Sequence, residues 1–135
     1  MKYDIRDRYG HTINECIQQV INELSRDAIG LWNIVIYGRE DFGLSGGDLA
    51  DFVRRHLLAI FAHGAKPVVG ASDNIHIWTP VDYGGGPEEV ANAIVSEWIQ
   101  TGHEPGPGGL WFALPHVYQE KRGPEAPDRI KSRLS

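Results

Sequence analysis

Six histidines, one cysteine and eighteen carboxylates are the side chains of this 135-residue chain that could do chemistry. No two histidines stand in a His-x-x-x-His or His-x-x-Glu-His pattern and there is no Cys-x-x-Cys, so the spacings that hold zinc are missing and no metal is expected. The nearest pair, His103-Glu104, lies in a Gly/Pro loop, and the run Leu110 to Leu114 separates it from His116 by about 15 Å at the rise of a strand. His56 and His63 fall in the apolar stripe of one helix, about 10 Å apart along its axis, which predicts two core histidines with hydrogen-bond partners rather than ligands of one ion. Cys16 stands in the apolar stripe of another helix and reads as a small buried hydrophobe. A Gly-x-Ser-x-Gly elbow is absent as well, so the common nucleophile signatures are missing.

Two glycine runs could offer bare backbone N–H groups to a phosphate, Gly84-Gly85-Gly86 and Ser45-Gly46-Gly47. Neither is followed by a Lys-Ser/Thr pair. Glu88, Glu89 and Asp48 occupy the helix starts that follow, where they complement the dipole and repel an anion, so no nucleotide and no other cofactor is expected.

The elements that must position these residues follow from periodicity. Thr12 and Glu15 have the spacing of a capping box, and Ile13, Cys16, Ile17, Val20, Ile21, Leu24 and Ala28 recur at helical spacing, predicting a helix over 12–29 ended by Gly30. Leu31 to Gly38 is β-branched, aromatic and only weakly alternating, which predicts a strand buried on both faces. Ser45 opens a second helix that Gly64 stops, with Leu49, Phe52, Val53, Leu57, Ile60 and Phe61 inward. Lys66 to Val69 reads as a strand, and Ile75 to Trp78 as another or as the continuation of a bent one. Pro87 starts a third helix that Gly102 closes, and Leu110 to Leu114 is a final strand stopped by Pro115.

The alternation of helix and strand predicts an α/β chain: one compact domain over 1–118, with a small parallel or mixed sheet of three to four strands and three helices packed on it. Residues 119–135 carry five basic side chains and two prolines with few apolar groups, and are expected to form a basic C-terminal tail, flexible or peripheral. In open α/β sheets ligands bind beyond the carboxyl ends of the strands. With parallel strands, Glu40, Asp41, Asp82, Tyr83, His116 and Tyr118 would gather on one rim. Such a rim is either an acid/base site built on Asp41, Asp82 and His116, or an acidic, aromatic-edged surface for a protein.

Charge favours the second. Residues 65–116 hold one lysine, Lys66, against six carboxylates, a local net charge of −5 that equals the net charge of the whole chain. A nucleic-acid reader needs a basic stripe, and none is available there, so nucleic acid is not expected as a partner. A basic protein would be attracted by long-range steering. The contact residues expected for it are Glu40, Asp41, Asp82, Glu88 and Glu89, with Tyr83 and Trp78 as aromatic anchors. Leu58, opposite the core stripe of the second helix, and the four tryptophans leave a homodimer open. No apolar run approaches the roughly 20 residues of a bilayer span and the N-terminus lacks an apolar signal core, so a cytoplasmic location without membrane contact is expected.

The run Gly43-Leu44-Ser45-Gly46-Gly47-Asp48-Leu49 entering a helix, with Ser96-Glu97-Trp98-Ile99 and Leu110-Trp111-Phe112-Ala113-Leu114-Pro115, resembles small uncharacterised bacterial α/β proteins. Some proteins of that size and acidity are immunity proteins, which neutralise a cognate toxin domain. The resemblance spans about 70 residues, implies a partner-binding role and transfers no site residue. The leading expectation is a non-catalytic module, an immunity-type inhibitor that binds a basic toxin domain; the alternative is a small enzyme using the rim carboxylates and His116 on a small molecule.

Overall fold

The computed structural model describes residues 5–73 and 75–121. Its elements run α1 (Ile13–Leu24), β1 (Ile29–Gly30), α2 (Leu31–Ile36) continued by a π-helical turn (Tyr37–Asp41), α3 (Gly46–Ala62), β2 (Lys66–Gly70), β3 (Trp78–Pro80), α4 (Pro87–Thr101), β4 (Trp111–Ala113) and the short α5 (Pro115–Tyr118).

The capping box at the start of α1 is formed: the Glu15 N–H donates to Thr12 Oγ1 at 3.1 Å and the Thr12 N–H to Glu15 Oε1 at 2.9 Å. The helix ends earlier than its periodicity suggested, because the N–H groups of Arg26 and Asp27 both turn back to the Glu23 carbonyl and free the chain for β1. In α4, Pro87 takes the first turn and Gly102 adopts the left-handed conformation, φ +65°, that stops the helix.

The strand expected over Leu31 to Gly38 is instead a helix. Leu31, Ile34, Val35 and Gly38 are buried while Ile36 is 40% exposed, which is a helical stripe rather than two buried faces. The Gly30 N–H donates to Asn33 Oδ1 at 3.1 Å, so Gly30 opens α2 rather than closing α1. Tertiary packing overrides the β propensity of this segment. A Cβ on Gly38 would lie 2.6 Å from Leu49 Cδ1 and 2.7 Å from Phe52 Cδ1, so the backbone of the π turn rests directly on α3.

Loss of that strand changes the sheet. Its order is β1-β4-β2-β3 and every pair is antiparallel, which corrects the parallel or mixed sheet expected from the alternating elements, and among the described residues five helices stand where three were expected. Residues 66–80 form two strands, paired Val68 to Pro80 and Gly70 to Trp78, because the seven residues between them permit a hairpin but no crossover. β4 pairs with the other edge of β2, Lys66 with Ala113 and Val68 with Trp111. β3 and β4 therefore run in the same direction with β2 between them, and α4 makes the connection.

The single domain buries its main core between the helices and one face of the sheet: Phe52, Leu57, Ile60, Ile34, Leu24 and Phe112 are fully buried. Alternation places Val68 and Ala113 on the opposite face, where they meet Ala28, Val117 and Tyr118, with Trp78 and Trp111 over them. His56 is buried as expected, but His63 is the exposed C-cap of α3, since the stripe leaves the core at the last turn. Leu58 is half-buried against the main core. Lys121 pairs with His76, and the expected tail beyond it lies outside the described residues. Among the described residues no helix is long and apolar enough to cross a membrane.

Candidate functional site: an acidic cavity beside the N-terminal segment

The expected rim does not form. Glu40 and Asp41 lie in the π turn rather than at a strand end, and α5 starts directly after β4. Asp41 bonds Arg8, with Oδ1 3.1 Å from Nη2 and 3.2 Å from Nε. Asp82 Oδ1 accepts the Gly84 N–H at 2.8 Å and lines a different cavity, of about 450 Å³. The His116 Nε2–H donates to the Ser25 carbonyl at 2.8 Å, and His116 lines neither cavity. Asp41, Asp82 and His116 are thus each held by a separate partner. Glu40 is exposed, Glu88 stands 4.0 Å from Arg54, and Glu89 accepts the Gly86 N–H at 3.4 Å. Trp78 packs against Trp111 with ring centroids 5.3 Å apart, and Tyr83 is half-buried between two cavities.

Of the expected contact residues, Asp41 belongs to a group the periodicity did not reveal. Together with Asp7, Glu23 and Asp27 it lines a cavity of about 500 Å³ between the N-terminal segment, α1 and α2, whose other walls include His11, Cys16, Asn33 and Tyr37. Asp7 organises the N-terminal segment: its Oδ1 accepts the N–H groups of His11 at 2.7 Å and Tyr9 at 2.9 Å, and its Oδ2 faces His11 Nδ1 at 3.3 Å. Burial works against the Asp7 carboxylate, but these donors outweigh it and hold the carboxyl below its usual range. Tyr9, 65% exposed, stands at the lining.

The same negative field acts on the groups that could ionise. Burial, then Asp7 and Asp41, pushes the Cys16 thiol up to about 12, so it is neither a thiolate nucleophile nor a soft ligand at neutral pH. Burial, helped by Cys16, Asp41 and Glu23, also raises the Tyr37 phenol. The cavity consequently presents four carboxylates as acceptors with a neutral thiol and a neutral phenol, and among the described residues no lysine or arginine lines it. Arg8 and Arg26 reach its acids from outside, at 3.1 Å to Asp41 and 2.7 Å to Glu23. Among the described residues no three His, Cys, Asp or Glu side chains form a metal cluster. Such a lining accepts hydrogen bonds from a cation; it offers no activated nucleophile.

The sequence signal that was available lies in Asp7 and His11, four apart before the capping box, and in Glu23 and Asp27, four apart at the end of α1. Each pair is ordinary alone, and only the tertiary fold brings them to one space with the residues of α2 and its π turn. No family model, no curated protein and no solved structure matches this chain.

Proposed function

We propose that the chain is a non-catalytic protein-binding module, an immunity-type inhibitor that takes a basic partner such as a toxin domain, with the cavity of Asp7, Glu23, Asp27 and Asp41 receiving a lysine or arginine side chain of that partner. The observation that carries this reading is the convergence of four carboxylates on one cavity that, among the described residues, no lysine or arginine lines. Arg8 and Arg26, which neutralise two of them, have side chains 61% and 72% exposed. Such surface pairs are worth about 0 to 1 kcal/mol, so an incoming guanidinium displaces them at little cost. A cation inserted among several partly enclosed carboxylates gains more than it would on an open surface, because water screens it less. Tyr9 adds an exposed ring beside the mouth, a side chain suited to an interface anchor. The exposed Glu40, Asp82, Glu88 and Glu89 extend the acidic surface that steers such a partner. The alternative acid/base reading draws no support from the positions of Asp41, Asp82 and His116, which occupy separate places.

The test is calorimetric titration of the purified protein with the product of the adjacent gene, at low and high salt, for wild type, Glu23→Lys and Asp27→Lys. Each reversal should weaken binding by about tenfold or more while thermal melting stays cooperative, and salt should weaken the wild-type complex. Affinity unchanged by both reversals, or an adjacent product that does not bind, overturns the proposal.

A further inference from the structure

A second, larger cavity lies on the opposite side of α2's start, between α4, β2 and the Gly/Pro loop that follows α4. Its volume is about 610 Å³, within the roughly 300–1,000 Å³ of small-molecule sites. Leu31, Val69, Ile94, Trp98 and Leu110 supply apolar and aromatic walls, and the loop around Gly106 closes one side. That loop is tied down: both Glu104 oxygens bond Arg39, at 2.6 and 2.9 Å, and the Trp111 Nε1–H donates to the Pro107 carbonyl at 2.8 Å. The cavity is therefore a shaped space rather than a gap beneath a loose segment.

Its polar groups are the Glu97 and Glu104 carboxylates, the Tyr83 and Thr101 hydroxyls and the His103 imidazole, and Glu104 is already taken by Arg39. Glu97 lines it and makes no hydrogen bond or ion pair among the described residues, and the Tyr83 hydroxyl makes none either. Both line the same cavity, where burial first and then the Glu97 charge raise the Tyr83 phenol. Lys66, the one lysine or arginine of 65–116, lines the neighbouring cavity instead. A largely apolar pocket with one uncommitted carboxylate and no lysine or arginine among its described lining residues favours a cation with an apolar body over an anion. Trp98 and Tyr83 supply aromatic rings to the lining, and the face of such a ring attracts an ammonium group.

We propose that this cavity binds a small organic ammonium compound with a flat apolar body, its amine between Glu97 and Tyr83 and its body against Trp98, Ile94 and Leu110. The site is separate from the acidic cavity assigned to the protein partner and does not depend on that assignment.

Two-dimensional ¹H–¹⁵N NMR of the full chain tests it, by titration with phenethylamine, phenylacetate and phenethyl alcohol. Phenethylamine should bind tightest of the three, with shifts centred on the Trp98 indole N–H and the backbone amides of Val69, Gly106, Gly108, Gly109 and Leu110. Glu97 is exposed, so Glu97→Gln should fold normally and weaken phenethylamine about tenfold while leaving phenethyl alcohol unchanged. Shifts absent or centred elsewhere, phenylacetate binding as tightly as the amine, or Glu97→Gln without effect on the amine would each overturn the proposal.

Discussion

Replacing His56 with leucine should remove a pH dependence of stability between pH 7 and 5. The ring is fully buried in α3, stacked on Phe52 with centroids 4.3 Å apart, and its Nδ1–H donates to the Phe52 carbonyl at 2.9 Å. Nε2 is buried and has no hydrogen-bond partner among the described residues, so a second proton would find nothing there to bond to. Burial above all, with the Arg55 charge assisting, lowers the pKa from 6.5 to about 4. The native pKa lies below the unfolded one, so the unfolded chain takes up the proton first. Stability from this residue is whole above pH 6.5 and drains away as the pH falls towards 4. Linkage with these two values gives a loss of about 2 kcal/mol between pH 7 and 5, and about 3 kcal/mol by pH 4. For a domain of this size 2 kcal/mol corresponds to a fall in Tm of about 7 °C. Leucine has similar volume, and the Phe52 carbonyl already accepts the bond of its own helical turn, so the variant should fold. Urea unfolding of both proteins at pH 7, 6 and 5 isolates the effect, because every other titrating group cancels in the difference. Wild type should lose about 2 kcal/mol relative to His56→Leu over that range. Stability curves that stay parallel would refute the assignment of a buried neutral imidazole.

Two further outcomes follow from packing. Gly38→Ala should destabilise the protein by about 1 to 3 kcal/mol, read as a lower urea midpoint at unchanged slope, because its methyl would press on Leu49 and on a Phe52 ring already held by Phe42 and His56. Cys16 should resist iodoacetamide at pH 8 in the native protein and react on addition of denaturant, since burial holds the thiol neutral; fast native alkylation would contradict its place in the core.

Wherever a local signal had one physical meaning, the sequence determined the structure. Thr12 with Glu15, Pro87 with Gly102, and Gly64 set the ends of α1, α4 and α3, because caps satisfy backbone groups within a turn and need no distant partner. The apolar stripe of α3 likewise placed Phe52, Val53, Leu57 and Ile60 inside without reference to the rest of the chain.

Tertiary contacts decided the remainder. Leu31 to Gly38 carries strand-forming residue types in a helical order, and what chose the helix is the seat that Gly38 finds on α3, more than ten residues away in sequence. That one choice removed a central strand, made the sheet antiparallel, and dispersed the expected rim, since strand direction determines which loops share an edge. The same choice assembled the acidic cavity, because α2 and its π turn carry Asn33, Tyr37 and Asp41 to Asp7 and Glu23. Charge composition is additive and can be read from the chain alone; the convergence of carboxylates on one space is a property of packing, and no periodicity encodes it.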